Sequence, residues 1–184
     1  GWVAQLPTAS LPARIRSAPA AAAMGVLSNR ALVDICSVAF EDPDVPADIK
    51  ARGESLQTAY AGNSNAAKVA AMADLWDGGS TPDQRRSALV LTARAAALIA
   101  PSEDHAGEAD RLIASMLSAG FDEQAVRWAS IVDGGSLGWG LLACAAPGWR
   151  GAISEGELDD FRGNDDSADY RKSKFLLAGL AGLG

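Results

Sequence analysis

The stretch Ser80–Ala100, STPDQRRSALVLTARAAALIA, decides the fold class. Thr81 is a helix N-cap by type, Pro82 fits a first helical turn, Gln84 follows Thr81 at capping-box spacing, and Pro101 blocks continuation. Both ends of a helix are therefore written locally. On a helical wheel Leu89, Val90, Ala93 and Ala97 fall on one side and Leu91, Ala95, Leu98 and Ile99 on the other. Arg85 and Thr92 fill one gap between them, Ser87 and Arg94 the opposite one. A helix apolar on two sides needs neighbours on two sides, so this segment reads as the central helix of an all-α domain.

The flanking sequence supplies those neighbours. Gly1–Ala13, with Pro7 and Pro12, reads as an extended lead-in. Arg14–Met24 reads as a helix that Pro19 kinks or restarts and Gly25 ends. Ser28 caps a segment running to Phe40 with Leu32, Val33, Cys36, Ala39 and Phe40 on one stripe, and Glu41–Pro46 is a turn. Ala47–Ala61 and Asn65–Trp76 follow, then the central helix, then a helix capped by Ser102 or Asp104 and ended by Gly120. Asp122 starts a helix predicted to reach Val132, and Ser154 with Glu157 forms a capping box for a short helix to Phe161. The final helix begins near Asp165 or Asp166, with Tyr170, Phe175, Leu176, Leu177 and Leu180 expected to face inward. No segment carries the period-two alternation of a strand.

Two stretches align: Lys68–Ser80 and Gln124–Ser136 share their Asp-Gly-Gly-Ser endings, and the next helices end in Ala100-Pro101 and Ala146-Pro147. The reading is a single domain, 1–184, with two three-helix repeats at about 46–100 and 104–146, against the alternative that routine Gly and Pro helix ends in alanine-rich segments coincide. The architecture expected is stacked antiparallel helical hairpins forming a short α-solenoid, with a closed multi-helix bundle as the alternative.

Composition bounds the partners. The formal net charge of −7 and the absence of a clustered basic face, beyond Arg85-Arg86 and Arg171-Lys172, argue against nucleic acid. The longest apolar run, Ala88–Ala100, is interrupted by Thr92 and Arg94, so no membrane span is predicted. Cys36 and Cys144 stand apart in apolar helical contexts and read as small core residues. A start at Gly-Trp-Val and an end in Leu-Ala-Gly-Leu-Ala-Gly-Leu-Gly suit a processed product or a piece of a longer protein. Nothing in the sequence is an address to a compartment.

Three groups of residues invite a chemical reading. Gly134-Gly135-Ser136-Leu137-Gly138 matches the Gly-x-Ser-x-Gly string that resembles the nucleophile elbow of α/β-hydrolases. That elbow needs a preceding strand and a later histidine, whereas His105 precedes Ser136 and is the only histidine, so Ser136 reads as a helix cap. Asp165-Asp166-Ser167-Ala168-Asp169 resembles the Asp-Asp-x-x-Asp string of all-helical terpenoid synthases, which implies magnesium and diphosphate binding by Asp165, Asp166 and Asp169. The competing reading is acidic residues complementing a helix dipole. Of the five Trp residues, Trp76 and Trp128 fall on apolar faces, while Trp2, Trp139 and Trp149 stand near Gly or Pro. Trp139 and Trp149 are the candidate exposed anchors for a partner.

One histidine and two distant cysteines fall short of a zinc ligand set, and no cofactor-binding pattern is present. The expectation is a non-catalytic scaffold or adaptor that binds a protein or peptide. The alternatives are a metal-dependent enzyme using Asp165, Asp166 and Asp169, and a structural domain of a longer protein.

Overall fold

The computed structural model describes residues 2–38, 45–149 and 151–183. Every regular element among them is helical, so the fold class is all-α. The expected end of the third helix at Ala39 and Phe40, and most of the turn after it, lie outside the described residues. The chain divides into two compact units, 1–99 and 100–184.

The first unit contains α1 (Trp2–Gln5), α2 (Leu11–Ala23), α3 (Asn29–Ser37), α4 (Ala47–Ala61), α5 (Asn65–Asp77) and α6 (Pro82–Ala97). Helix α6 starts as its sequence dictates. Thr81 Oγ1 accepts from the Gln84 backbone N–H at 3.2 Å, and Gln84 Oε1 accepts from the backbone N–H groups of Thr81 at 3.3 Å and Ser80 at 2.9 Å. Helix α6 packs against α2, α3, α4 and α5. Ala88, Ala93, Ala95 and Ala96 of α6 and Ala18, Ala21 and Ala22 of α2 are all buried, and side chains this small let helix backbones approach closely. Leu98, assigned to a buried side, is the C-cap residue and is exposed.

Polar groups buried by this packing are satisfied. The Trp76 indole N–H donates to Thr92 Oγ1 at 2.8 Å, and the Thr92 hydroxyl donates back to the Ala88 carbonyl at 2.9 Å. The Tyr60 hydroxyl ties α4 to α6 by donating to the Leu91 carbonyl at 2.9 Å.

Two local expectations are corrected. The prolines of Gly1–Ala13 suggest extended chain, but α1 forms and α2 begins at Leu11, because Pro12 falls in a first turn, where its missing N–H costs no hydrogen bond. Pro19 neither stops nor restarts α2, which runs on to Ala23; Gly25, at φ +71°, then closes it as expected, with Val26 N–H donating to the Ala21 carbonyl at 2.9 Å.

The second unit contains α7 (Ala109–Leu117), α8 (Asp122–Val126), α9 (Leu137–Ala145), α10 (Glu155–Gly163) and α11 (Arg171–Leu183), with 3₁₀ turns at Glu103–Glu108 and Ala168–Tyr170. Helix α9 packs against α7, α8 and α11. Leu112, Ile113, Met116, Trp128 and Leu142 are fully buried. A second apolar group joins Trp139 and Ala143 of α9 to Phe161 of α10 and Leu176 of α11. Gly120, at φ +76°, ends the α7 segment as expected, with Phe121 N–H donating to the Met116 carbonyl at 3.0 Å.

Here too the sequence reading is adjusted. Helix α8 ends at Val126 rather than Val132. Trp128, Ala129 and Ile131 donate to carbonyls three residues back, and this tighter winding accompanies a Trp128 side chain only 1% exposed. Of the residues expected inward on the final helix, Leu176 is buried, whereas Tyr170, Phe175 and Leu177 are exposed. Helix α11 instead turns Ser173, Leu176 and Gly179 inward, and a Cβ at Gly179 would lie 2.8 Å from Cys144 Sγ on α9.

Candidate functional site

Ser136 caps α9. Its Oγ accepts from the Trp139 backbone N–H at 3.2 Å and donates to Asp110 Oδ1 at 2.9 Å, and the same carboxylate oxygen accepts from the Gly138 N–H at 2.8 Å. The first turn of α7 thereby supplies a negative charge to the N-terminus of α9, where the helix dipole favours it. A Cβ on Gly138 would lie 2.6 Å from Asp110 Oδ1 and 3.1 Å from Asp110 Cα, so glycine here is what admits the carboxylate. The Gly-x-Ser-x-Gly string is accounted for as a cap and a close helix approach. Its Ser136 hydroxyl donates to a carboxylate, with no imidazole in the arrangement.

The acidic cluster is likewise part of the local fold. Asp165 Oδ1 accepts from the Ser167 backbone N–H and hydroxyl, and Asp165 Oδ2 accepts from the Ser173 backbone N–H at 2.8 Å and hydroxyl at 2.7 Å. Ser167 Oγ accepts from the Lys172 N–H at 3.1 Å, so Asp165 and Ser167 together cap the first turn of α11 from outside it. Partial burial pushes the Asp165 carboxyl up, but the hydrogen bonds from Ser167 and Ser173 outweigh it and hold the group well below the ordinary carboxylate range.

Asp166 pairs with the Lys172 ammonium, whose hydrogen bond and charge lower its pKa. Asp169 and Tyr170 both adopt left-handed backbone, at φ +57° and +53°, in the reversal before α11. Arg162 lies over the Tyr170 ring at 5.6 Å from its centroid. Of the three aspartates expected to share a metal, Asp165 is engaged in a helix cap and Asp166 in an ion pair, and no group of three or more His, Cys, Asp or Glu among the described residues is placed to hold one.

The two candidate partner-binding tryptophans point into the second unit. Trp139 is 5% exposed and packs on Phe161, with ring centroids 6.3 Å apart and planes at 48°. Trp149 is half-buried against the same apolar group, with Gly151 directly beneath its indole. Glycine at position 151 is what lets the Trp149 ring close over the backbone.

A site that the sequence reading did not single out lies in the first unit. A cavity of about 420 Å³ opens among α2, α3, α4 and α6. Its floor is apolar, formed by Ile15, Leu56 and Leu91, which are buried, with half-buried Pro19 and Ile49. Exposed Arg16, Asp48, Asp83 and Gln84 stand around it, and half-buried Arg52 and Cys36 line its wall. Burial pushes the Cys36 thiol up to about 11, partly offset by the Arg52 charge, so the thiol is neutral at physiological pH. An apolar floor with a few polar groups converging on it is the usual construction of a small-ligand site, and the volume falls in the range of such sites.

No protein-family model matches the chain, and no curated protein or solved structure matches it.

Proposed function

We propose that this protein is a non-catalytic binding module and that the cavity among α2, α3, α4 and α6 receives its ligand. The cavity itself carries the reading: it combines an apolar lining with charged groups around it, which is what orients a partly apolar molecule. The residues with catalytic potential support it from the other side. Ser136 and Asp165 have their hydrogen-bonding capacity engaged in capping helices.

The test is a thermal-shift screen of the full chain against a chemically diverse panel of small amphiphiles, run beside Ile49→Trp, which fills the cavity. A ligand at about one hundred times its Kd stabilises by about 2.7 kcal/mol, which is a readable shift. Compounds that stabilise the parent chain and not Ile49→Trp support the proposal. A panel in which no compound distinguishes the two proteins refutes it.

A protein or peptide scaffold is the second reading. It is supported by Phe175 and Leu177 of α11, large apolar side chains that are 77% and 54% exposed. Its variant is Phe175→Ser with Leu177→Ser, since truncating Trp139 would open the core instead of a surface. Loss of a specific partner from the double variant at unchanged helicity favours the scaffold, and retention of the partner removes α11 from consideration.

A further inference from the structure

The ionic groups around the cavity of the first unit lie at different depths. Asp48, Asp83 and Arg16 are exposed, so water screens their charges. Arg52 is half-buried and lines the cavity wall together with Cys36. Among the described residues no carboxylate lies within ion-pair distance of Arg52. Arg52 is the least exposed of the charged residues that line the cavity, and a charge partly removed from water interacts more strongly than one at the rim, so Arg52 is the lining group best placed to hold a counter-charge. The floor beside it is the apolar surface of Ile15, Ile49, Leu56 and Leu91.

We propose that the cavity takes an amphipathic organic anion, its apolar chain or ring on Ile15, Ile49, Leu56 and Leu91 and its carboxylate on the Arg52 guanidinium. This rests on the cavity being the protein's binding site. The planar fork of arginine matches a carboxylate with two parallel hydrogen bonds, which lysine cannot reproduce, and a partly desolvated pair of this kind discriminates between head groups of similar size.

The experiment is calorimetric titration of the full chain with decanoate, decanol and decylamine, which share a chain and differ in head group. Decanoate is expected to bind tightest. Arg52→Gln should weaken decanoate about tenfold or more and leave decanol nearly unchanged, and Arg52→Lys should restore only part of the loss. Ile49→Trp should abolish binding of both, with helicity checked for each variant. Equal affinity for decanoate and decanol, both lost in Ile49→Trp, overturns the anion proposal while leaving the cavity as a binding site. A preference for decylamine overturns it in favour of Asp48 and Asp83. Binding of none of the three, or binding indifferent to Ile49→Trp, overturns both the anion proposal and the site it rests on.

Discussion

Gly140→Ala sets helix propensity against packing in a way the structure can decide. In an exposed helix interior this change stabilises by about 1 kcal/mol, because alanine has less backbone freedom to lose. Gly140 is inside α9 and buried, and a Cβ there would lie 2.6 Å from Phe161 Cε2 and 3.2 Å from both Cδ2 and Cζ. The ring cannot step aside freely, since Phe161 is only 6% exposed and rests on Trp139. Overpacking of this kind costs about 1–3 kcal/mol. With three ring atoms this close the upper part of that range, about 2–3 kcal/mol, applies, so the net expectation is a loss of about 1–2 kcal/mol, or about 4–16 °C in the melting of a unit of this size.

Far-UV circular dichroism against temperature and urea measures it. The control is a double-mutant cycle with Phe161→Leu, whose smaller side chain should accept the new methyl group. In that background Gly140→Ala should cost markedly less than it does alone. If Gly140→Ala raised stability in the parent chain, or if its effect were the same with Leu at 161, the packing of α10 on α9 described here would be refuted.

Three further outcomes follow from individual side chains. The folded Asp165 carboxyl titrates well below its unfolded value of about 4, so its contribution to stability is complete above that pH and is lost as the pH falls further. Acid titration of helicity should therefore be less steep below pH of about 4 in Asp165→Asn, and an unchanged slope would contradict the hydrogen bonding assigned to this carboxylate. Ser136→Asp, usually a sound N-cap replacement, should destabilise more than Ser136→Ala, because it places a second carboxylate where the hydroxyl now meets Asp110 at 2.9 Å; denaturant midpoints that follow the ordinary cap ranking would disprove this. Cys36, with its thiol held up at about 11, should react with a neutral alkylating agent at pH 8 far more slowly than a free thiol and reach the free rate in denaturant, as read by mass spectrometry of the digested protein. Labelling of Cys36 at the free-thiol rate in the folded chain would contradict its burial.

The helices were legible where their signals were local. Thr81 with Gln84, Ser154 with Glu157, Ser28 and Ser136 all act as caps, and Gly25 and Gly120 take the left-handed conformations that end their segments. The misreadings arose where a residue type has two opposite uses. Pro12 reads as part of an extended lead-in and serves as a first-turn residue; glycine at 179, a poor helix former by type, serves to admit Cys144. In α11 two faces carry apolar residues, and pattern alone does not choose between Leu176 and the pair Phe175 and Leu177. The choice is made by α9, distant in sequence.

The candidate site obeys the same logic, and this is why it stayed hidden while the more conspicuous motifs lost their chemistry. A string such as Asp-Asp-x-x-Asp is visible because its residues are adjacent, but adjacency also lets backbone and neighbouring hydroxyls reach the carboxylates first, as Ser167 and Ser173 do at Asp165. Oxygen atoms filled by four intramolecular donors must lose them before they can bind a cation, and the capped start of α11 would be lost with them. The cavity is built in the contrary way. Ile15, Cys36, Arg52 and Leu91 come one from each of four helices, and each looks in its own segment like an ordinary core or face residue. Only packing brings them together, and because they are far apart in sequence their side chains are less readily consumed by neighbouring backbone. Arg52 is the clearest instance: indistinguishable in α4 from a solvated arginine, it is the least exposed charged residue in the lining of a cavity to which α2, α3 and α6 also contribute.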